Sequence, residues 1–243
     1  MIDVNSVRAG YVPGIDVLNG ISATFADDEI SSIVGPNGAG KSTLIKTIYG
    51  FLDPHEGTIT YDGEDLTQYG PEEMAREVGF AYIPQERSVF PDLTVHENLQ
   101  LGAWPIRKQR ERVERSLDTV YDEFSALRKK QSNRAGTLSG GQQRMLEIGR
   151  SLVIDPNVVL IDEPSVGLAP RLAADVYDSV RQLAETGVTV ILIDQNVRAA
   201  VEYGDALFVL EQGEVVAQGD SDEMNTEVEE LISDWISTEA VTE

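Results

Sequence analysis

The chain has 243 residues, 41% hydrophobic and 25% charged, enough for one large core or a core with a small appended lobe. It has no cysteine, which excludes a disulfide scaffold and thiolate metal sites, and no run of about 18 apolar residues that could span a bilayer. A formal net charge of −23 excludes a basic nucleic-acid footprint at the level of the whole chain, so no nucleic-acid partner is expected. The start, "MIDVNSVRAG", lacks the basic flank and apolar stretch of a signal peptide, and a soluble intracellular chain is the simplest expectation. Such a charge excess reads either as a surface built for high salt or as an ordinary acidic protein.

Short β-rich segments open the chain: "IDVNSVRAG", "ISATFA" and "ISSIVG". The glycines from Gly35 to Gly40 break that pattern, and "KSTLIKTIYG" continues as a helix closed by Gly50. "GTITYDG" reads as a strand with a turn at Asp62-Gly63, and "VGFAYIPQ" as an apolar strand ended by Pro84. From about Leu93 to Arg134 the pattern is helical and charged, the mark of an inserted helical lobe. "SGGQQRMLEIGRSLV" is a helix, "NVVLIDE" a buried strand of the parallel type, and "RLAADVYDSVRQLAETG" an amphipathic helix ended by Gly187. "VTVILID" is a second buried strand, and "DALFVLEQGEVVAQGD" a strand, a turn and a strand. The tail is an acidic helix with Leu231, Ile232, Trp235 and Ile236 on one side. Helices alternating with apolar strands predict an α/β fold, a mostly parallel sheet covered on both faces. Residues 1–92 and 135–219 form the expected core with its β subdomain, 93–134 begin the helical subdomain, and 220–243 form the C-terminal helix.

"GPNGAGKS" runs through Gly35, Pro36, Asn37, Gly38, Ala39, Gly40, Lys41 and Ser42, followed by Thr43, and matches the P-loop pattern between a strand and a helix. Its glycines let backbone N–H groups turn inward around phosphate oxygens, and the helix N-terminus adds favourable partial charge. Lys41 is expected to reach the β- and γ-phosphates of a nucleotide, and Ser42 to ligate Mg²⁺. In "VVLIDEP" four apolar residues lead into Asp162, placed to hold Mg²⁺ through its water shell, and Glu163, placed to polarise a water for in-line attack. An acidic strand end alone is weak; about 120 residues after a P-loop it is a strong signal. In "LSGGQQ", Ser139 and Gln142 have capping-box spacing, while Gly140 and Gly141 leave the helix start open to an anion. The P-loop already serves this chain's nucleotide, so that helix is expected to face the nucleotide of a second subunit.

These motifs together resemble the ATP-binding-cassette ATPases, over about Tyr11 to Gly219. The resemblance implies a RecA-like P-loop NTPase fold with an antiparallel β subdomain and an inserted α-helical subdomain. It implies that Tyr11 stacks on adenine, and that Gln85 in "IPQERSVF" joins the Mg²⁺ site to the helical lobe. "PQERSVFPDLTVHENL", "LSGGQQRMLEIGRSL", "DEPSVGLAP" and "IDQNVRAA" resemble more closely the smaller ATPase subunit of branched-chain amino-acid importers. Ala169 stands where most cassette ATPases have Asp, and Gln85 where relatives of this subgroup often have Glu. The switch histidine of the superfamily falls on Gln195.

The resemblance implies a peripheral ATPase on the cytoplasmic face of the cell membrane. It would dimerise head to tail with a second ATPase, different or identical, beneath two membrane permease subunits fed by an external solute-binding protein. Alternatives are a cassette ATPase for another solute such as urea or an amide, or one without a membrane partner. A P-loop kinase or GTPase is a different class, and "LSGGQQ" argues against it. Nine of the 19 basic residues fall between Arg107 and Arg134, against five acids. That segment reads either as a surface for acidic permease loops or anionic headgroups, or as a solvated helix with pairs such as Glu111–Arg115. The strand 188–193 is expected beside 158–161. Gln195 at its end then either donates its amide to the γ-phosphate or caps the strand end or the helix that follows.

Overall fold

The computed structural model describes residues 1–85 and 88–224. They form two compact units, Met1–Gln68 with the chain from Ile191 onward, and Tyr69–Val190. The expected C-terminal helix with Leu231, Ile232, Trp235 and Ile236 lies outside the described residues.

In the first unit, β1 (Ile2–Ala9) pairs antiparallel with β2 (Leu18–Phe25) and, on its other side, with the strand Glu56–Tyr61. Alternation puts Ile2, Val4, Val7 and Ala9 of β1 inside, with a register shift between Val4 and Val7 around Ser6. With β3 (Ile30–Val34) counted, Glu56–Tyr61 is β4, and β5 (Glu64–Asp65) closes a hairpin onto it. Asp62 and Gly63 link them at φ 50° and 81°, the positive pair that a two-residue hairpin turn of matching twist requires. All five residues of β3 are buried. It leads through the glycine-rich loop into α1 (Lys41–Ile48), which buries Leu44, Ile45 and Ile48.

The second unit opens with α2 (Pro71–Glu73) and a π-helical turn over Met74–Val78, and Gly79 at φ 82° turns the chain into β6 (Phe80–Ile83). β6 lies parallel to β7 (Val158–Asp162), register Phe80 to Val158 through Ile83 to Ile161. The predicted insertion is helical: α3 (Val95–Gly102) starts at a Thr94/Glu97 capping box and is followed by a 3₁₀ turn at Trp104–Ile106. Then come α4 (Arg110–Glu123) and α5 (Ser125–Arg128). α6 (Gly140–Leu152) packs against α3, α4, α5, β6 and α7 (Pro170–Glu185), so it is shared between the helical lobe and the sheet. Each buried Leu, Ile or Val in such packing contributes about 1.5–3 kcal/mol.

β8 (Thr189–Ile193) is buried throughout. In the second unit the Thr189 N–H donates to the Asn157 carbonyl at 3.0 Å, and the strand order is β8-β7-β6. Within this unit the start of β8 thus neighbours β7, the side on which 158–161 were expected. In the first unit the order is β10-β9-β3-β8, with β9 (Ala206–Glu211) parallel to β3 and β10 (Glu214–Asp220) antiparallel to β9. α8 (Val197–Tyr203) covers β3, and Val34, Val197, Ala200, Leu207, Val209 and Met224 make one apolar cluster. Among the described residues no helix is long and apolar enough to cross a membrane.

Candidate nucleotide site

The phosphate loop belongs to the first unit. At Gly35 an added Cβ would sit 2.0 Å from the Leu210 carbonyl oxygen, so only glycine lets the loop leave β3 against β9. Gly40, at φ 104°, turns the chain into α1 with no side-chain cap. Lys41 is 6% exposed, and its ammonium folds back into the loop, donating to the Gly35 carbonyl at 2.7 Å and the Pro36 carbonyl at 3.0 Å. Asn37 and Gly38 are exposed at the tip, Ser42 is half-buried, and Thr43 is buried.

Two further predicted residues lie in this unit. Tyr11 follows β1 and is 56% exposed, with the Lys46 ammonium over its ring, 5.9 Å from the centroid. At the end of β8 the three polar residues divide their work. Asp194 is buried, its N–H bonded to the Ile33 carbonyl at 3.2 Å and its carboxylate accepting the Asn196 N–H at 2.7 Å. Asn196 caps α8 by accepting the Ala199 N–H at 3.3 Å. The cap of that helix is therefore Asn196, and Gln195 between them is exposed.

The acidic strand end lies in the second unit. Asp162, 3% exposed, ends β7 and accepts a long 3.4 Å bond from the Tyr82 hydroxyl, a neighbour that sequence reasoning did not single out. Glu163 is 6% exposed at φ 46°, a left-handed conformation that costs a non-glycine residue on the order of 1–3 kcal/mol and needs the surroundings to hold it. The Gln85 amide donates to the Glu163 carboxylate at 2.5 Å, leaving the amide oxygen of Gln85 directed elsewhere. A cavity of about 20 Å³, enough for one water, is bounded by Gln85, Gln143, Arg144, Glu147 and Glu163.

α6 begins with the expected capping box. The Ser139 hydroxyl accepts the Gln142 N–H at 3.4 Å, the Gln142 side-chain oxygen accepts the Ser139 N–H at 3.3 Å, and Lys130 donates to the same oxygen at 2.9 Å. Gly140 and Gly141 form its first turn, and Gly141 packs on Leu172, where a Cβ would come within 2.9 Å. Further along, Arg144 and Glu147 are buried and paired at 3.0 Å. Sequence reading passed over both, since in a helix pattern they look like ordinary charged positions.

A glycine-built anion loop at a helix start, a buried Asp-Glu strand end and a capped Ser-Gly-Gly-Gln helix start define a nucleotide-hydrolysing cassette. Residues 18–166 match the family model of the ABC transporter, and the chain belongs to that family. It is 40% identical over 206 residues to the "high-affinity branched-chain amino acid transport ATP-binding protein BraG" of Pseudomonas aeruginosa, covering 85% of this chain and 87% of that one. It is 36% identical over 225 residues to the "probable branched-chain amino acid transport ATP-binding protein LivF" of Archaeoglobus fulgidus, covering 92% and 94%. A solved nucleotide-free ATP-binding cassette from an ABC transporter superposes with a TM-score of 0.84 at 29% identity, covering 94% of each chain. The protein is thus an ABC ATPase subunit, a nucleotide-binding ATPase that energises transport.

Proposed function

We propose that this subunit drives import of branched-chain or related hydrophobic amino acids from the cytoplasmic face of the cell membrane. ABC ATPases dimerise and work with membrane permeases. Here the partners are a second ATPase, two permease subunits and, indirectly, an external solute-binding protein. Residues 1–92 and 135–219 act as the nucleotide-binding core, and 93–134 open the permease-facing helical subdomain; the sequence 220–243 carries nine acids and no Lys or Arg.

In this reading the loop N–H groups of Gly35 to Thr43 bind the ATP phosphates, Lys41 offsets the β/γ charge, and Tyr11 stacks on adenine. Ser42, Gln85 and Asp162 offer a hydroxyl, an amide oxygen and a carboxylate. Such hard oxygen donors without thiolate or imidazole suit Mg²⁺, which supplies charge neutralisation at the phosphates when bound. Glu163 orients a water and accepts its proton as the γ-phosphorus is attacked. Gln195 donates its amide to the γ-phosphate, fixing its position without moving a proton. Ser139, Gly140, Gly141 and Gln142 meet the γ-phosphate held by the second subunit.

One observation carries the mechanism: the Gln85 amide donates to the Glu163 carboxylate, which orients the side chain of the proposed base. The solute rests on the resemblance to BraG and LivF. The test is uptake of labelled leucine, isoleucine and valine into vesicles carrying the chain with its co-encoded permeases. The expected result is ATP-dependent uptake of these three, abolished by Lys41→Ala. Uptake of urea or a short amide instead would reassign the solute.

A further inference from the structure

Two of the residues with assigned chemistry in the second unit, Gln85 and Glu163, have the backbone beside them held by one buried ion pair on α6. The Arg144 guanidinium donates from Nε to the Pro164 carbonyl at 3.2 Å, and from one terminal nitrogen to the Asp162 carbonyl at 3.4 Å. From the other it donates to the Pro84 carbonyl at 2.9 Å and to the Glu147 carboxylate at 3.0 Å. The second oxygen of Glu147 accepts the Ser88 N–H at 2.6 Å. Pro84 immediately precedes Gln85, and Ser88 lies three residues past it; Asp162 and Pro164 flank Glu163 directly. Arg150, two turns beyond Arg144 on α6, adds a 2.6 Å bond to the Ser88 carbonyl and a 2.5 Å bond to its hydroxyl.

We propose that Arg144 and Glu147 are positioning residues for ATP hydrolysis, a strut that sets Gln85 and Glu163 relative to one another. The proposal rests on the reading of Glu163 as the base. A planar guanidinium suits this work, because its fixed fork of donors serves three carbonyls and a carboxylate at once, which a lysine ammonium cannot do in the same geometry. Glu147 balances the buried charge and turns its remaining lone pairs on the Gln85 loop. The left-handed φ of Glu163 persists because the carbonyls before and after it are both held. α6 also starts at the Ser139 cap and packs on α3, so a shift of this helix moves the Gln85 loop and the Glu163 turn together.

The experiment measures kcat, KM for ATP, nucleotide affinity and Tm on the full-length chain purified with its co-purifying subunits. Arg144→Lys keeps the charge balance of the buried pair and loses the fork. It is expected to lower kcat by about 10²-fold, the scale of a misplacement of about 1 Å, with KM and ATP affinity changed less than about threefold. The paired Arg144→Met/Glu147→Met variant leaves no unmatched buried charge and tests the same loss if the lysine variant folds poorly. In a Glu163→Gln background, Arg144→Lys is expected to bring no further loss, because the strut acts through that carboxylate. Two results would overturn the proposal: a lowered Tm with unchanged kcat per folded molecule, or a loss that multiplies fully with that of Glu163→Gln. Wild-type turnover by Glu163→Gln alone would instead remove the base assignment.

Discussion

The phosphate loop and the Glu163 turn solve the same problem, holding a loop in an exact shape, by opposite means. The loop between β3 and α1 is shaped by missing side chains: at Gly35 any Cβ meets the Leu210 carbonyl, and Gly40 sits at φ 104°. The turn after β7 is shaped by added side chains, a buried guanidinium and carboxylate bonded to the backbone on both sides of Glu163 and around Gln85. A backbone-built site binds whatever carries the right charge and is ready before ligand arrives. A side-chain-built site stands or falls with a few bonds, and through them can follow the movement of the helix that carries them.

That contrast can be broken first at the cation. Lys41→Ala is expected to weaken ATP binding by about 10- to 100-fold, the loss of one charge-assisted bond of about 1.5–3 kcal/mol, and to remove measurable turnover. Titration with a fluorescent ATP analogue measures it, and wild-type affinity would show that the loop amides bind the phosphates unaided. Gln195→Ala is expected to lower hydrolysis by about 10-fold, toward the lower end of the same range, with ATP affinity less affected. Steady-state turnover of the assembled ATPase decides, and an unchanged rate would leave Gln195 without a role at the γ-phosphate. Gly35→Ala sharpens the comparison from the structural side. Its Cβ meets backbone, so a cost of about 1–3 kcal/mol in stability is expected together with weakened ATP binding, read by chemical denaturation and titration.

The smallest effect concerns the capping box of α3. Hydrogen bonds from the Thr94 backbone, then from its hydroxyl, hold the Glu97 carboxyl below its ordinary value of 4.5. A depressed folded value means that its contribution is fully present above the unfolded pKa and is lost as pH falls through the folded one. The wild type should therefore exceed Glu97→Gln in Tm by a small margin at neutral pH. The margin should vanish as pH drops below 4.5, and a margin independent of pH would contradict the assignment.

The difference in construction also explains what could be read from the chain. "GPNGAGKS" is visible because a backbone cradle demands glycine at fixed spacing, and the turns at Asp62-Gly63 and Gln212-Gly213 are visible for the same reason. The buried strands β7 and β8 are legible as apolar runs, and the Ser139–Gln142 box as a cap, whereas the serines of β3 mask its complete burial. Arg144 and Glu147 were not, because charge in a helix pattern normally marks a solvated face, and only the packing of α6 against β6 and α7 puts them inside. The division of labour in "DQN" was half-legible. A polar strand end was evident, but that Asn196 caps α8 while Asp194 anchors to Ile33 depends on where the helix begins. The basic segment reads in the sequence either as a partner surface or as a solvated helix, and its bonding is divided. Arg112 donates to the Ile154 carbonyl, Arg128 pairs with Asp118 and Asp122, and Arg107 lies 4.3 Å over the Trp104 ring.

In the proposed mechanism Glu163, held by Gln85 and the α6 pair, is the base of an ATPase whose loop binds nucleotide independently of it. The most direct measurement compares Glu163→Gln with wild type for ATP affinity and single-turnover hydrolysis in the same preparation. The expected result is unchanged affinity, hydrolysis slower by about 10²–10⁴-fold, and ATP retained in an undissociated dimer. Hydrolysis at the wild-type rate would contradict it.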